Sequence, residues 1–133
     1  MVYYLDTSAF LKLIVAEKHS KALRTWADRY DQSLVSSNLL QIESLRAARR
    51  LGPEVLLSTR EMLRAVHLIS LTSDICESAA ELDPAITRSL DAAHLATALH
   101  LGSDLEAVVT YDERMSEAAA HLGVRVLAPG VTR

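Results

Sequence analysis

The sequence is short of the residues that build cross-links, long loops and membrane spans. It has a single cysteine, Cys76, in 133 residues, so no internal disulfide can form, as in a protein of a reducing compartment. The stretch TSDICESAAEL reads as a helix with Ile75, Ala79 and Leu82 on its apolar face, and Cys76 is expected to pack there as a small buried hydrophobe rather than act as a nucleophile. Only four glycines and three prolines occur, which leaves little room for linkers and points to one domain over residues 1–133. No apolar run reaches the roughly 18 residues of a membrane helix. The opening MVYYLDTS has neither the basic start nor the apolar run of a secretory leader. A cytoplasmic location with no membrane partner is therefore expected. Gly-rich phosphate loops, a Ser-centred G-x-S-x-G turn and an HExxH pair are all missing. Aromatic residues make up 5% of the chain, and Tyr3, Tyr4, Tyr30 and Tyr111 form no obvious platform for stacked bases.

Net charge is −3, with 17 acidic against 14 basic residues, which excludes a general nucleic-acid coat protein. Setting aside four acids grouped below leaves 13 against 14. The balance therefore permits a local, metal-bridged contact with phosphate while disfavouring a broad basic surface.

Short apolar, β-branched runs alternate with helical patterns. Strands are predicted at Val2 to Leu5, Ser33 to Ser36, Leu68 to Leu71, Ala107 to Thr110 and Val124 to Leu127. Helices are predicted for AFLKLIVAE, Ser20 to Tyr30, Leu39 to Leu51, Glu54 to His67, Ser73 to Leu82, Ser89 to Leu101 and Asp112 to His121. Gly52-Pro53 marks a helix stop followed by a helix start. This alternation predicts an α/β fold, a mainly parallel central β-sheet flanked by α-helices. The tail after Pro129 is expected to fray.

In parallel sheets, ligands bind beyond the carboxyl ends of the strands. Asp6 ends the first strand, and Asp112 follows the AVVT strand by two residues. Asp91 lies in the first turn of its helix, and Glu43 lies within the helix after the second strand. If those strands are neighbours, the four carboxylates can meet at one edge. Hard divalent ions, Mg²⁺ or Mn²⁺, prefer such oxygens, and a bound ion offsets the mutual repulsion of a dense acid cluster. Ser8 and Thr110 could support the acids by hydrogen bonds. Each acid also has a plain structural reading. Asp6 and Asp112 can cap the helices behind them, Asp91 can complement its helix dipole, and Glu43 can face solvent.

The residues just named carry a family resemblance. YYLDTSAFLKL resembles the opening of PIN domains. SNLLQIESLRAARR resembles the helix bearing the family's glutamate. SLDAAHLATALHLG resembles the central acidic motif, and VVTYDERMSEAAAHLGVRVL the closing one. The order spans nearly the whole chain, and its compact length is similar to VapC toxins of VapBC toxin–antitoxin pairs. The resemblance implies a single PIN-like nuclease domain and a Mg²⁺- or Mn²⁺-dependent endoribonuclease. It implies Asp6, Glu43, Asp91 and Asp112 as metal-binding acids, RNA as substrate, a VapB-like antitoxin as partner, and a homodimer.

Other readings stay open on residues alone. A non-catalytic signalling receiver would need an acidic pair near the first strand and a late lysine, whereas Asp6 stands alone and all three lysines precede position 22. A Mg²⁺-dependent phosphohydrolase with a nucleophilic aspartate would favour Asp-x-Asp over the Asp-Thr-Ser found here. His94 reads as a core residue, or as one that orients an acid or touches substrate. Arg46, Arg49 and Arg50 read as a solvated face or an RNA backbone contact. Tyr111 could touch a base or an antitoxin side chain. The helix from Glu54 to His67 offers an amphipathic face for a second copy or for an antitoxin.

Overall fold

The computed structural model describes residues 1–132. Its elements are β1 (Val2–Leu5), α1 (Thr7–Lys12), α2 (Ser20–Arg29), β2 (Leu34–Ser37), α3 (Asn38–Leu51), α4 (Pro53–Leu63), β3 (His67–Ile69), α5 (Ser73–Ala80), α6 (Ser89–His100), β4 (Leu105–Val109), α7 (Glu113–His121) and β5 (Val126–Leu127). The five strands form one sheet in the order β3-β2-β1-β4-β5, and every pairing is parallel. The sheet runs outward in both directions from the β1–β4 pair, so chain order reverses there. That reversal opens a crevice at the carboxyl ends of β1 and β4, where α/β sheets bind ligands.

Helices cover both faces, which is why the strands read as continuous apolar runs rather than alternating ones. Successive side chains of β1 point to opposite faces. Leu5 joins Phe10, Leu13, Leu23, Leu40 and Val109 beneath α1, α2 and α3. Tyr4 joins Val35, Ala98 and Val108 on the α6 side. From Ala92 to Ala98 every residue of α6 is buried. Its alanines let it lie close against β2, β4 and α5, with Leu95 packing on Met115, Ala118 and Ala119 of α7. No helix among the described residues is long and apolar enough to cross a membrane.

Several element bounds differ from the sequence expectation, each for a tertiary reason. The first helix stops at Lys12 because Ser20 Oγ bonds both the Val15 carbonyl and the Glu17 amide, turning the chain into α2. The helix expected to reach His67 ends at Leu63, since His67 pairs with Val35 at the start of β3. Cys76 is exposed, not buried; Ile75, one residue earlier on α5, takes the inward position at 1% exposure. The tail is not frayed through Val131. Tyr111 Oη donates to the Pro129 carbonyl at 2.7 Å, the Val131 amide donates to the Ala128 carbonyl, and Gly130 lies against Ala22 and His19.

Candidate active site

Asp6 follows directly from β1, and its amide donates to the carbonyl of Val109 at the end of β4. The residue is 4% exposed, yet both carboxylate oxygens are held. Oδ1 accepts from the Ala9 amide at 2.9 Å and from Ser8 Oγ at 2.7 Å, and Oδ2 accepts from Thr110 Oγ1. Asp6 is thus the N-cap of α1 and the anchor of the crevice together. Ser8 Oγ also accepts from the Tyr111 amide at 3.1 Å, and Thr110 Oγ1 accepts from the Asp112 amide at 3.1 Å. These two hydroxyls stitch the β1 and β4 loops into one unit and both bond the Asp6 carboxylate. Burial pushes the Asp6 carboxyl above its ordinary range, and the bonds from Thr110, Ala9 and Ser8 pull against that rise.

Glu43 reaches in from α3. Its Oε1 accepts from Thr7 Oγ1 and from His94 Nε2, each at 2.7 Å. Partial burial alone would raise its pKa, but the His94 and Thr7 bonds outweigh burial and hold the carboxyl below its usual value. Glu43 therefore does not merely face solvent.

Asp91 sits in the first turn of α6. Its carboxyl is raised by partial burial first, then by the negative charge of Asp112; Glu43 adds to the rise, while His94 and Arg88 oppose it. Asp112 caps α7 through the Arg114 amide at 2.9 Å and is exposed to the crevice mouth. Asp91 thus lies within electrostatic reach of two other acids, and it has no hydrogen bond from the protein to relieve their repulsion among the described residues.

No three His, Cys, Asp or Glu side chains among the described residues draw close enough to form a ready-made metal cage. The donor set nonetheless suits a hard divalent cation. It is all carboxylate, and Asp91 feels the negative charge of both Asp112 and Glu43. Mg²⁺ and Mn²⁺ are commonly held by one or two carboxylates, with waters and substrate phosphate completing the shell. A zinc-type cage of nitrogen and sulfur ligands has no counterpart among the described residues.

Residue spacing did not reveal a chain behind Glu43. His94 is 3% exposed, and its Nδ1 lies 2.6 Å from Tyr4 Oη. The histidine read as core is both buried and bound to an acid; its position three residues after Asp91 on one helix was the available signal. Beside Asp91 a groove of about 490 Å³ is lined by Pro84, Ile86, Arg88, Arg114 and His121, among others. Arg46, Arg49 and Arg50 are all exposed on α3. Tyr111 is committed to the tail, with His19 stacked on its ring at 6.0 Å and Lys12 Nζ 5.0 Å from the ring centre.

Comparison with known proteins identifies a family. The PIN domain family matches residues 3–121, a span containing all four acids. Ribonuclease VapC35 of Mycobacterium tuberculosis is 42% identical over 133 residues, covering 98% of each chain. Ribonuclease VapC46 of the same organism is 42% identical over 126 residues, covering 95% of this chain and 96% of its own. Ribonuclease VapC47 is 34% identical over 134 residues, covering 98% of each.

Proposed function

Because the chain belongs to the PIN-domain family, we propose that it is a divalent-metal-dependent endoribonuclease, the toxin component of a VapBC-type toxin–antitoxin pair. Two observations support the catalytic part of this reading. Asp6 is fixed at the β1–β4 crevice by three donors, and Asp91 feels the charge of both Asp112 and Glu43.

Asp6, Glu43, Asp91 and Asp112 would hold Mg²⁺ or Mn²⁺, which when bound activates water and neutralises charge on a phosphodiester. The chain's own contribution is positioning. Ser8, Thr110 and the Ala9 amide hold Asp6 in one orientation. Thr7 and His94 occupy Oε1 of Glu43 and leave Oε2 for a ligand. Arg88 and Arg114, on the wall of the groove beside Asp91, are suited to an RNA phosphate next to the reacting one, since arginine offers a fork of donors to phosphate. The exposed arginines of α3 extend the same backbone contact. Exposed apolar residues of α3 and α4, Leu51 at 56% and Leu57 at 61%, support a protein partner on that side. The family resemblance supplies a VapB-like antitoxin and a second copy of the chain as the expected partners.

The test is incubation of the purified protein with total cellular RNA, with Mg²⁺ or Mn²⁺ and then with EDTA, beside Asp91→Asn. Discrete fragments that need metal and vanish in the variant are expected. Equal cleavage by the variant, or cleavage that survives EDTA, would overturn the assigned site. Growth arrest on expression, relieved by co-expressing an antitoxin, checks the toxin reading.

A further inference from the structure

The side chain with the most complete set of buried hydrogen bonds near the crevice, after Asp6, belongs to no acid. His94 is 3% exposed and Tyr4 is fully buried. Tyr4 Oη and His94 Nδ1 are 2.6 Å apart, and the two rings meet edge to face, 5.7 Å between centres. On the other side, His94 Nε2 lies 2.7 Å from Glu43 Oε1 and 3.4 Å from Thr7 Oγ1. A neutral imidazole has one donor nitrogen and one acceptor nitrogen, so its neighbours decide the tautomer.

Those neighbours all agree. Glu43 Oε1 is a carboxylate oxygen and can only accept. Thr7 directs its own hydrogen to the same Oε1 at 2.7 Å, so toward His94 it offers only a lone pair. Nε2 must therefore carry the hydrogen. With the ring neutral, Nδ1 is then the acceptor and Tyr4 is its donor. The hydroxyls beside Tyr4 do not compete for Nδ1. Ser36 gives its hydrogen to the Leu5 carbonyl at 2.6 Å, and Thr97 gives its own to the Ala93 carbonyl at 2.7 Å.

We infer that Tyr4 and His94 form a buried positioning relay that locks the Nε2–H tautomer and, with Thr7, pins Oε1 of Glu43 so that Oε2 alone faces the crevice. The relay runs from the centre of the sheet (β1), through α6, to α3. It gives a glutamate on a flexible stem, from a helix outside the β1–β4 pair, two fixed donors on one oxygen. It also gives the helix bearing Asp91 a second task, since α6 carries both residues. Tyr4 and His94 touch neither substrate nor metal and are positioning residues.

The inference rests on the nuclease reading only for its catalytic consequence, because the tautomer can be observed without metal or RNA. Long-range proton–nitrogen NMR correlation on the metal-free protein at neutral pH should show His94 with a hydrogen on Nε2 and none on Nδ1. A hydrogen on Nδ1, alone or together with one on Nε2, would overturn the relay. Calorimetric titration with Mn²⁺ then tests its reach. Outer partners of metal-binding groups are worth about 10–100-fold in affinity or activity. His94→Leu should weaken Mn²⁺ binding within that range, and Tyr4→Phe should weaken it by about tenfold. His94→Gln, whose amide can still donate to Glu43, should recover most of the loss seen with leucine. Unchanged Mn²⁺ affinity in a folded Tyr4→Phe, or equal losses in the glutamine and leucine variants, would refute the positioning role. If the wild type cleaves no RNA, the nuclease reading fails while the tautomer and the Mn²⁺ titrations still decide the relay.

Discussion

Thr110→Val removes one hydroxyl and little volume, yet should rank among the costlier single changes outside the apolar core. The Thr110 hydroxyl is fully buried. It donates to Oδ2 of Asp6 and accepts from the Asp112 amide. A hydrogen bond to a charged group contributes about 1.5–3 kcal/mol, and a neutral one about 0.5–1.5 kcal/mol. The expected loss is therefore about 2–4 kcal/mol. For a chain of 133 residues, each kcal/mol moves the melting temperature by about 3–4 °C, so a drop of roughly 7–14 °C should follow. The deficit should also depend on pH. Burial already raises the folded-state pKa of Asp6, and the Thr110 bond opposes the rise. A carboxyl raised on folding favours the folded state while protonated, and that contribution is lost as pH climbs through the folded pKa. Removing the bond enlarges the loss at neutral pH and matters least in acid, where Asp6 is protonated. Calorimetric melts of wild type, Thr110→Val and Thr110→Ser in EDTA, at pH 7 and in mild acid, are the assay. Serine keeps the hydroxyl and should cost only about the 0.8 kcal/mol of a buried methyl. A valine variant that melts within 2 °C of wild type at pH 7, or a deficit that does not shrink in acid, would refute this account of how Asp6 is held.

Three further outcomes are expected. Ser44 is fully buried on α3 and its Oγ has no hydrogen-bond partner among the described residues; Ser44→Ala should raise stability by about 1 kcal/mol, read by urea unfolding. Gly130 has φ of +92°, and an added Cβ would sit 2.8 Å from that of Ala22. Gly130→Ala should cost about 1–2 kcal/mol and free the 128–131 turn from α2, seen as faster amide exchange there. Arg88→Ala should weaken RNA binding in the presence of EDTA and reduce the salt dependence of log K by about one phosphate contact; an unchanged salt slope would remove Arg88 from the RNA path.

Local signals were legible where local chemistry decides. Asp6 followed by small hydroxylic residues announced both a strand end and a cap, and the apolar run at 107–110 announced a buried strand. Ser89 to Leu101 read as a helix because no glycine or proline interrupts it. Non-local partnerships were not legible. Nothing near Glu43 says that its carboxylate meets His94, 51 positions away, or that Tyr4 stands behind that histidine. Cys76 was misplaced because Ile75, its immediate neighbour, claimed the inward direction, and a helix turns about 100° per residue. The short helix α1 and the packed tail likewise depend on contacts with α2 that no local pattern encodes.

The pairing of β1 with β4 also has a consequence during synthesis. Asp6 leaves the ribosome early, but Thr110, which secures its second oxygen, lies 104 positions later in the chain. At about 5–20 residues per second, roughly 5–20 s of translation separate the two. Until β4 emerges, Asp6 lacks the Val109 carbonyl for its amide and the Thr110 hydroxyl for its carboxylate, and Asp112 does not yet exist. On the proposed site, a nascent chain is inert until then. Whatever this protein does to RNA begins only after β4 and its loop are released, which gives any partner made alongside it an interval in which to be ready.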